Sequence, residues 1–531
     1  MNFTMRKMAQ TLIFFIMIAL VSGCLGRGTE HNGDLLEAKS KRGNASKKVI
    51  LIVADSLMYQ AVDQGLKQNI LPTFKYLIDN GIYHKDVVSS FPTMSVTIDS
   101  SMLTGTYPDK HRVPGLIWYS SDEKRLVNYG TGFMEEIRQG LNTVLTDAFI
   151  NLNGKHLNPS TETIHETLAK HGLTSGSING LIFRGSTEHT LTIPPWMHTT
   201  TALPKHLNVN GPALLSLGVF ANPLEGIRQL PDGMTAKLGL NSDYSFEVAS
   251  HLIETGQLPD FLFMYLPDLD KRLHRRGPGD LGGPAKLDEQ LNSFLQSFGS
   301  IDKALQEAVI IIAGDSGMSQ LRPTGRQPVI ELHKLLGDDG ILRPGASADE
   351  NTKIVLAVNE TMAYVYQLDP KRSLRQLSAQ LMKEPRIDLA AWKEGDWIHV
   401  VRNGVSGAFR YKKNGPVPDI YGQRWTLDGN PDVADVEFDD RNRLKYGDYP
   451  DALQRLFGAL NSHEGRFLAV TPKEGYEFAD RSSPKHRGGG GHGSLHRTES
   501  LVPIIICGTN QDLEHHRIVD IKNYIEKLLI K

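Results

Sequence analysis

Residues 47–56 read KKVILIVADS, and they indicate where the folded domain begins. Val49–Val53 is an unbroken apolar run in which four of the five residues are β-branched. Such a run is typical of a strand inside a parallel sheet that helices cover on both faces. Asp55 follows shortly after the run, and open α/β sheets bind ligands at the carboxyl ends of their strands. We therefore expect the first strand of an α/β sheet here, with Asp55 at its functional edge.

Three later apolar segments have the same character: Phe261–Asp268, Ala308–Gly317 and Leu501–Gly508. Segments with helical periodicity lie between the strands, such as Thr73–Gly81, where Gly81 is expected to end the helix. This alternation of strands and helices predicts an α/β fold with a mostly parallel central sheet flanked by helices.

Residues 380–450 have a different pattern. They contain glycine turns, short alternating segments and three of the five tryptophans of the chain. This pattern predicts a β-rich insertion or cap within one folded domain that spans residues 48–531. A role in substrate access and a purely structural role both fit this pattern.

The N-terminus has the pattern of an export signal. Two basic residues precede the apolar run Thr11–Val21, which is short for a membrane-spanning helix, and small residues precede Cys24. The tail VSGC resembles a bacterial lipobox, in which cleavage leaves a lipid-modified cysteine. We expect a signal peptide over residues 1–23, followed by lipidated Cys24 and a flexible tether over residues 24–47. The chain would then be exported and lipid-anchored on the extracytoplasmic face of the cell membrane; a plain signal peptide is the alternative.

Charge and cysteine content exclude other classes of protein. The formal net charge at pH 7 is −2, and no basic stripe with interleaved aromatic residues is present in the sequence. Nucleic-acid binding is therefore not expected as a main role. With two cysteines, the chain has neither a disulfide framework nor a cysteine-based metal site. Cys507 lies in an apolar run and is expected to be a buried strand residue.

Acidic residues recur at the ends of the predicted strands. Asp55 and Asp315 each follow an apolar run, and a third run leads into YLPDLDKRLHRRGP, which contains Asp270 and His274. Residues four apart share one face of a helix, so these last two side chains can face the same way if the stretch is helical. His492 lies in a glycine-rich loop near the C-terminus. One such residue alone is more often a helix cap or turn residue, but together they predict a metal site.

Five short motifs follow one another along the chain. They are Asp55 after the first strand, Thr104-Gly105 with Tyr107-Pro108-Asp109-Lys110-His111, Asp270 with His274, Gly277 and Pro278, Asp315-Ser316-Gly317-Met318, and His492-Gly493. In this order they resemble the alkaline phosphatase superfamily and, within it, the type I phosphodiesterase/nucleotide pyrophosphatase family. The resemblance covers most of residues 48–510, and the ordered set is more specific than any one motif.

The resemblance implies a nucleophilic hydroxyl at the start of a helix, about nine residues before the threonine of Thr104-Gly105. In the stretch FPTMSVTID, this position is Ser95. Thr93 is the competing candidate, because it follows Phe91-Pro92 and many nucleophiles of the family are threonines. Both hydroxyls remain catalytic candidates, and Ser95 is preferred.

The resemblance also implies two divalent metal ions. The first ion would be bound by Asp270, His274 and His492. One carboxylate and two imidazoles are a ligand set that suits Zn²⁺.

The second ion would be bound by Asp55, Asp315 and the nucleophilic hydroxyl. The family normally has a metal-binding histidine where this chain has Ser316. With oxygen ligands alone, this site suits Mn²⁺ or Mg²⁺ as well as Zn²⁺. Leu116 is a further departure, because the phosphodiesterase branch often has an asparagine there that contacts a phosphate oxygen.

Together with the export pattern, these motifs imply an exported, lipid-anchored, metal-dependent hydrolase of phosphate esters. The preferred activity is that of a phosphodiesterase or nucleotide pyrophosphatase that forms a covalent phospho-enzyme on the serine or threonine nucleophile. Its partners would be the phosphate-ester substrate and, through the anchor, the membrane. Two alternatives stay open because of Ser316 and Leu116: a catalytically degenerate surface lipoprotein with a binding role, and a phosphomonoesterase.

Overall fold

The computed structural model of the chain describes residues 38–42, 47–130 and 141–530. The predicted signal peptide, Cys24 and most of the predicted tether lie outside the described residues. Within those three ranges, no helix combines the length and the apolar character that crossing a membrane requires.

The described residues alternate between strands and helices for most of their length. The strands are β1 (Lys48–Ala54), β2 (Gly81–Val88), β3 (Ile117–Ser120), β4 (Arg125–Asn128), β5 (Ser175–Ile178), β6 (Thr187–Thr192), β7 (His206–Gly211), β8 (Leu214–Ser216), β9 (Phe261–Leu266), β10 (Ala308–Gly314), β11 (Ser319–Gln320), β12 (Val329–Glu331), β13 (Ile354–Asn359), β14 (Met362–Gln367), β15 (Ile387–Glu394), β16 (Trp397–Arg402), β17 (Phe409–Pro418), β18 (Arg424–Gly429), β19 (Val436–Phe438), β20 (Leu444–Tyr446), β21 (Phe467–Pro472), β22 (Glu477–Ala479), β23 (Gly490–Gly491) and β24 (Leu501–Cys507). The α-helices are Tyr59–Lys67, Pro72–Asp79, Ser95–Thr104, Pro108–His111, Leu141–Thr146, Ile164–Lys170, Pro195–Thr200, Ser242–Glu254, Asp268–Arg276, Gly282–Gln296, Ile301–Glu307, Leu332–Leu336, Leu374–Leu381, Ala452–Leu460, Arg497–Ser500 and Ile521–Leu529.

Seven strands form the central sheet in the order β2-β24-β10-β1-β9-β5-β8. The strands from β10 to β8 pair in parallel, whereas β24 runs antiparallel to both β10 and β2. All four strand segments expected from the sequence lie in this sheet. The predicted α/β fold with a mostly parallel central sheet is therefore confirmed.

Strand β1 lies between β10 and β9 and is buried on both faces. Ile50 and Ile52 face a core that they share with the helices Ser242–Glu254 and Gly282–Gln296. Leu51 and its neighbours of the same parity face a second core on the other side of the sheet. Burial of each such side chain contributes about 1.5–3 kcal/mol, which is why the strand has no polar alternation.

A second, antiparallel sheet has the order β13-β14-β21-β15-β16-β17-β18. It includes strands β15 to β18 of the β-rich region expected over residues 380–450, whereas β19 and β20 form a separate pair, and it extends from Ile354 to Pro472. Its strands β13, β14 and β21 are buried along their whole length, so their sequences are continuously apolar like those of the central sheet. This similarity explains why the sequence pattern underestimated the extent of the insertion.

Gly81 has a different role from the one expected. The helix Pro72–Asp79 ends before it, and Gly81 is the first residue of β2, opposite Cys507 of β24. A Cβ atom at Gly81 would collide with the Cys507 side chain and with the Ile506 carbonyl. Close approach of two strands, and not a helix end, therefore requires glycine here. Cys507 is buried as expected, and burial raises the pKa of its thiol to about 12.

Residues 38–42 contact the folded domain. Ala38 is fully buried, and the Ser40 hydroxyl donates a 2.5 Å hydrogen bond to the buried Asp260 carboxylate. Contacts of the domain therefore reach back into the range that the sequence assigns to the tether.

His111, the last residue of the Tyr-Pro-x-x-His motif, is part of the core. Its ring is fully buried; Nδ1 accepts a hydrogen bond from the Val113 N–H over 3.1 Å, and Nε2 lies 3.0 Å from the Ser101 hydroxyl. Burial lowers the pKa of His111 from its ordinary 6.5 to about 3. The folded chain therefore keeps this ring neutral under conditions in which the unfolded chain binds a proton.

We predict that His111→Gln makes stability less dependent on pH. Because the folded-state pKa is the lower one, this histidine costs stability as the pH falls from 6.5 towards 3, with a slope of up to about 1.4 kcal/mol per pH unit. The free energy of unfolding, measured by urea denaturation, should fall less steeply in the variant between about pH 7 and pH 4. His171→Gln, a change at an exposed histidine, is the control. Equal slopes for wild-type and His111→Gln protein would refute the prediction.

Candidate active site

The site residues expected from the sequence meet at the carboxyl edge of the central sheet. In the parallel pairing, Ala54 of β1 lies beside the last residue of β10. Asp55 and Asp315 come next along the chain, so the strand register places them side by side. Ala54 also pairs with Leu266 of β9, and the helix Asp268–Arg276 begins two residues after Leu266. Acidic residues that follow three neighbouring strands, β9, β1 and β10, therefore lie at the carboxyl edge of the central sheet.

Ser95 lies beside these carboxylates as the first residue of the helix Ser95–Thr104. Its hydroxyl donates a hydrogen bond to Asp55 Oδ1 over 3.2 Å. The other Asp55 oxygen accepts a 2.5 Å hydrogen bond from the hydroxyl of buried Tyr265. The N-terminal end of a helix carries partial positive charge, which favours an anionic group at this position. We refer to Asp55, Ser95 and Asp315 as the carboxylate group.

Asp315 has one oxygen with hydrogen-bond donors and one without. Its Oδ1 accepts hydrogen bonds from the backbone N–H groups of Ser56 (2.8 Å) and Ser316 (2.7 Å). Its Oδ2 is buried and has no hydrogen-bond partner among the described residues, and the same holds for both carboxylate oxygens of Asp99. Buried carboxylate oxygens without donors are costly, and a divalent cation would satisfy them. The carboxylate group therefore fits a metal ion.

Burial and negative charge act together on these carboxylates. Burial, and then the charges of Asp270 and Asp315, raise the pKa of Asp55 well above its ordinary value. Burial and the charge of Asp315 likewise raise the pKa of Asp99. Burial also raises the pKa of Asp315, although the Ser56 N–H acts to lower it. So many carboxyl groups in one buried place are stable only with protons or cations beside them.

Asp270, His274 and His492 form a second cluster, which we refer to as the histidine group. Asp270 and His274 lie one helical turn apart, as their spacing predicts. The Nε2 atoms of His274 and His492 lie 3.1 Å and 3.3 Å from Asp270 Oδ1. The Nδ1 atom of His274 lies 2.9 Å from the Gly490 carbonyl, and the Nδ1 atom of His492 lies 2.6 Å from the Thr93 carbonyl. Both Nε2 atoms are thereby turned towards one carboxylate oxygen, an arrangement typical of zinc sites.

In the absence of a cation, protons balance the charge of the histidine group. Burial opposes a charge on either ring, but Glu360 and Asp270 outweigh it and raise the pKa of His274 to about 10 and that of His492 to about 9. Burial alone would raise the pKa of Asp270, but the two histidines lower it well below its ordinary value. A bound cation must displace these protons, so its affinity rises with pH.

The two candidate nucleophiles have different surroundings. Thr93 is fully buried, and its Oγ1 accepts a hydrogen bond from the Gly493 N–H over 2.7 Å and donates one to the Ser494 carbonyl over 3.4 Å. The Thr93 hydroxyl is therefore engaged by the loop that carries His492. Ser95 is only partly buried, and its hydroxyl donates its hydrogen bond to the Asp55 carboxylate.

At the two departures from the family pattern, the side chains contact the fold itself. Ser316 is fully buried, and its Oγ lies 3.1 Å from the Oγ of Ser56. The Ser56 hydroxyl donates a hydrogen bond to Asp270 Oδ1 over 2.9 Å, so two serines connect the two ligand groups. Leu116 packs against the core, and its backbone N–H donates to the Asn359 side chain over 2.8 Å.

Sequence reasoning missed several side chains at this edge. Asp99 carries a sequence signal, because it lies four residues after Ser95 and so shares its helix face. Tyr265 lies in a continuously apolar strand in which nothing marks its hydroxyl. Glu360 and His486 also reach the histidine group, the first from a tight turn of the second sheet and the second from the loop that precedes His492. These two contacts depend on tertiary structure alone.

The sequence matches the family described as type I phosphodiesterase/nucleotide pyrophosphatase over residues 49–495, and the chain belongs to this family. No curated protein sequence matches the chain significantly. The family is metal-dependent, and Asp270, His274 and His492 form a cluster of candidate metal ligands at the site. The chain is thus a phosphoric ester hydrolase.

Solved structures share the fold at low sequence identity. Murine ectonucleotide pyrophosphatase/phosphodiesterase 5, an inactive form in complex with AMP, is 13% identical with a TM-score of 0.54 and covers 91% of this chain and 95% of that one. The human protein is 14% identical with a TM-score of 0.52 and the same coverage. Phosphonoacetate hydrolase from Sinorhizobium meliloti, in complex with phosphonoformate, is 14% identical with a TM-score of 0.54 and covers 91% and 96%. These likenesses show an alkaline-phosphatase-like fold.

We predict that Tyr265→Phe weakens cation binding at the carboxylate group. The change leaves one Asp55 oxygen without its buried donor, and outer-shell changes of this kind lower metal affinity about 10–100-fold. Mn²⁺ titration of the metal-free protein in competition with a chromogenic chelator measures the affinity. Tyr107→Phe, which removes a buried hydroxyl bonded to Asp451, is the matched control and should bind like wild type. If both variants bind Mn²⁺ equally well, Tyr265 has no such role.

Proposed function

We propose that this chain hydrolyses phosphodiesters or pyrophosphates with Ser95 as its nucleophile. The observation that carries the proposal is the position of the Ser95 hydroxyl, which is partly exposed at a helix N-terminus and bonded to Asp55 over 3.2 Å. The family supports a phosphoric ester as substrate, and the AMP bound by the murine relative supports one with an organic group. The full burial of the Thr93 hydroxyl supports Ser95 over Thr93.

The two ligand groups would hold one divalent cation each. When bound, such cations supply positive charge that lowers the pKa of an attacking hydroxyl or water and neutralises charge developing on the phosphoryl oxygens. The nitrogen and oxygen donors of the histidine group suit Zn²⁺. The carboxylate group has oxygen donors only, because Ser316 stands at the family's histidine position, and it suits Mn²⁺ or Mg²⁺ as well as Zn²⁺.

Residues of the chain hold and orient the reacting groups. Asp55 accepts the hydrogen bond of Ser95 and so fixes the direction of its Oγ. Ser95 Oγ loses its proton and attacks phosphorus, the bond from phosphorus to the leaving oxygen breaks, the leaving oxygen takes up a proton, and a covalent phospho-enzyme forms. The N-terminal end of the helix Ser95–Thr104 places partial positive charge beside the phosphoryl oxygens. Water then cleaves the bond between Ser95 and phosphorus and restores the hydroxyl.

We predict that Ser95→Ala lowers hydrolysis of bis-p-nitrophenyl phosphate by at least about 1,000-fold, because the nucleophile is lost. Thr93→Ala is the matched control, since it removes the other candidate hydroxyl and should retain most of the turnover. Release of p-nitrophenol is the readout, with p-nitrophenyl phosphate assayed in parallel. Loss of turnover in Thr93→Ala but not in Ser95→Ala would identify Thr93, and not Ser95, as the nucleophile. Faster turnover of the monoester than of the diester would favour a phosphomonoesterase.

We predict that the two groups respond to different cations. In metal-free protein, one equivalent of Zn²⁺ should fill the histidine group first, and added Mn²⁺ or Mg²⁺ should then raise diester turnover. His492→Asn should weaken Zn²⁺ binding and leave Mn²⁺ binding at the carboxylate group nearly unchanged. Full turnover with one equivalent of Zn²⁺ alone would contradict this assignment of cations.

We also propose that the chain is exported and anchored through a lipid on Cys24. The support is the apolar run Thr11–Val21 followed by VSGC. In a bacterial host, wild-type protein should incorporate labelled palmitate and sediment with membranes, whereas Cys24→Ser should do neither. Palmitate labelling of the Cys24→Ser protein would rule out this anchor site.

A further inference from the structure

Glu360 reaches the histidine group from the second sheet. It lies in the turn between β13 and β14, where its backbone has a φ of 56°. Its Oε1 is 3.6 Å from His274 Nε2, and its Oε2 accepts a hydrogen bond from the His492 N–H over 3.2 Å. The proposed reaction gives this carboxylate no role, although it lies against two of the expected ligands.

His486 also lies beside His274. The two rings stack, with centroids 4.4 Å apart and an angle of 28° between their planes. His486 Nδ1 lies 3.1 Å from the carboxylate of Glu477. The Glu477 side chain is fully buried and also accepts a hydrogen bond from the backbone N–H of His486 over 2.9 Å. When His486 Nδ1–H donates its hydrogen bond to Glu477, the lone pair of the neutral ring lies on Nε2. Metal-binding histidines are oriented in the same way.

We propose that His274, Glu360 and His486 form a second cation position that overlaps the histidine group. One ligand atom of each of these three residues lies within 4.8 Å of the others, and the ligand atoms of the histidine group also lie within that distance of one another. Both triplets consist of one carboxylate and two imidazoles, a donor set that suits Zn²⁺ or Co²⁺. We refer to His274, Glu360 and His486 as the overlapping triplet.

The two positions exclude each other. His274 Nδ1 contacts the Gly490 carbonyl, so His274 has only Nε2 to offer, and one nitrogen lone pair binds one cation. A cation in the overlapping triplet therefore leaves Asp270 and His492 without one. The inference rests on the proposed metal site but not on hydrolysis, and it gives the first cation two alternative places at the same edge of the sheet.

Paired variants test the overlap through Co²⁺ binding, followed by visible absorption of the folded, metal-free protein. His492→Asn removes a ligand of the histidine group only, and Glu360→Gln removes a ligand of the overlapping triplet only. His492→Asn should still bind Co²⁺ with the intense bands of a four-coordinate site. The double variant His492→Asn/Glu360→Gln should bind it more weakly by at least about 10–100-fold, the loss that even an outer-shell change causes.

His492→Asn/His496→Asn is the matched control, because His496 lies in the same loop but contacts Glu474, and it should bind like His492→Asn. If Glu360→Gln adds no loss of affinity to His492→Asn, the overlapping triplet does not exist. Should His492→Asn fail to fold by circular dichroism, Asp270→Asn with and without His486→Asn gives the same comparison. A protein that binds Co²⁺ as expected but hydrolyses no ester would contradict the proposed function and leave this inference standing.

Discussion

Asp55 and Asp315 are buried next to each other because β1 and β10 pair in parallel and end at the same level. Two carboxylates in such a position repel one another, and burial removes the water that would weaken the repulsion. The Tyr265 hydroxyl donates a hydrogen bond to Asp55 Oδ2, and the Ser56 N–H donates one to Asp315 Oδ1. Asp315 Oδ2 has no hydrogen-bond donor among the described residues. This edge therefore favours positive charge, and the N-terminus of the helix Ser95–Thr104 lies beside it.

The second sheet completes the site through a single hairpin. The Thr361 N–H at the β13–β14 turn donates to the His492 carbonyl over 3.2 Å, and Glu360 accepts from the His492 N–H. From the other side, Thr93 holds the same loop through its hydroxyl and its carbonyl. The orientation of the His492 ring therefore depends on both sheets. An insertion that would otherwise be only a structural addition thus helps to determine whether the histidine group can bind a cation.

Residues whose role follows from local pattern could be predicted from the sequence. The apolar strands, the aspartates that follow them and the helical spacing of Asp270 and His274 are such features, and the structure brings all of these residues together. The sequence favoured Ser95 over Thr93 but kept both as candidates, because which hydroxyl the His492 loop engages depends on tertiary structure. Glu360 could not be predicted as a site residue for a similar reason. It contacts His274 and His492 because a turn from a distant part of the chain packs on the site. The extent of the second sheet was also beyond prediction, since its fully buried strands look like those of a parallel sheet.

We propose that cations, and not only protons, balance the buried carboxylates of this edge. The metal content of the purified protein, combined with its thermal unfolding before and after chelation, tests this proposal. We expect two divalent cations per chain and a melting temperature that falls on chelation and recovers when cations are returned, because ligands that bind the folded state stabilise it. A folded protein without bound divalent cations, whose melting temperature does not respond to chelator or added metal, would refute the proposal.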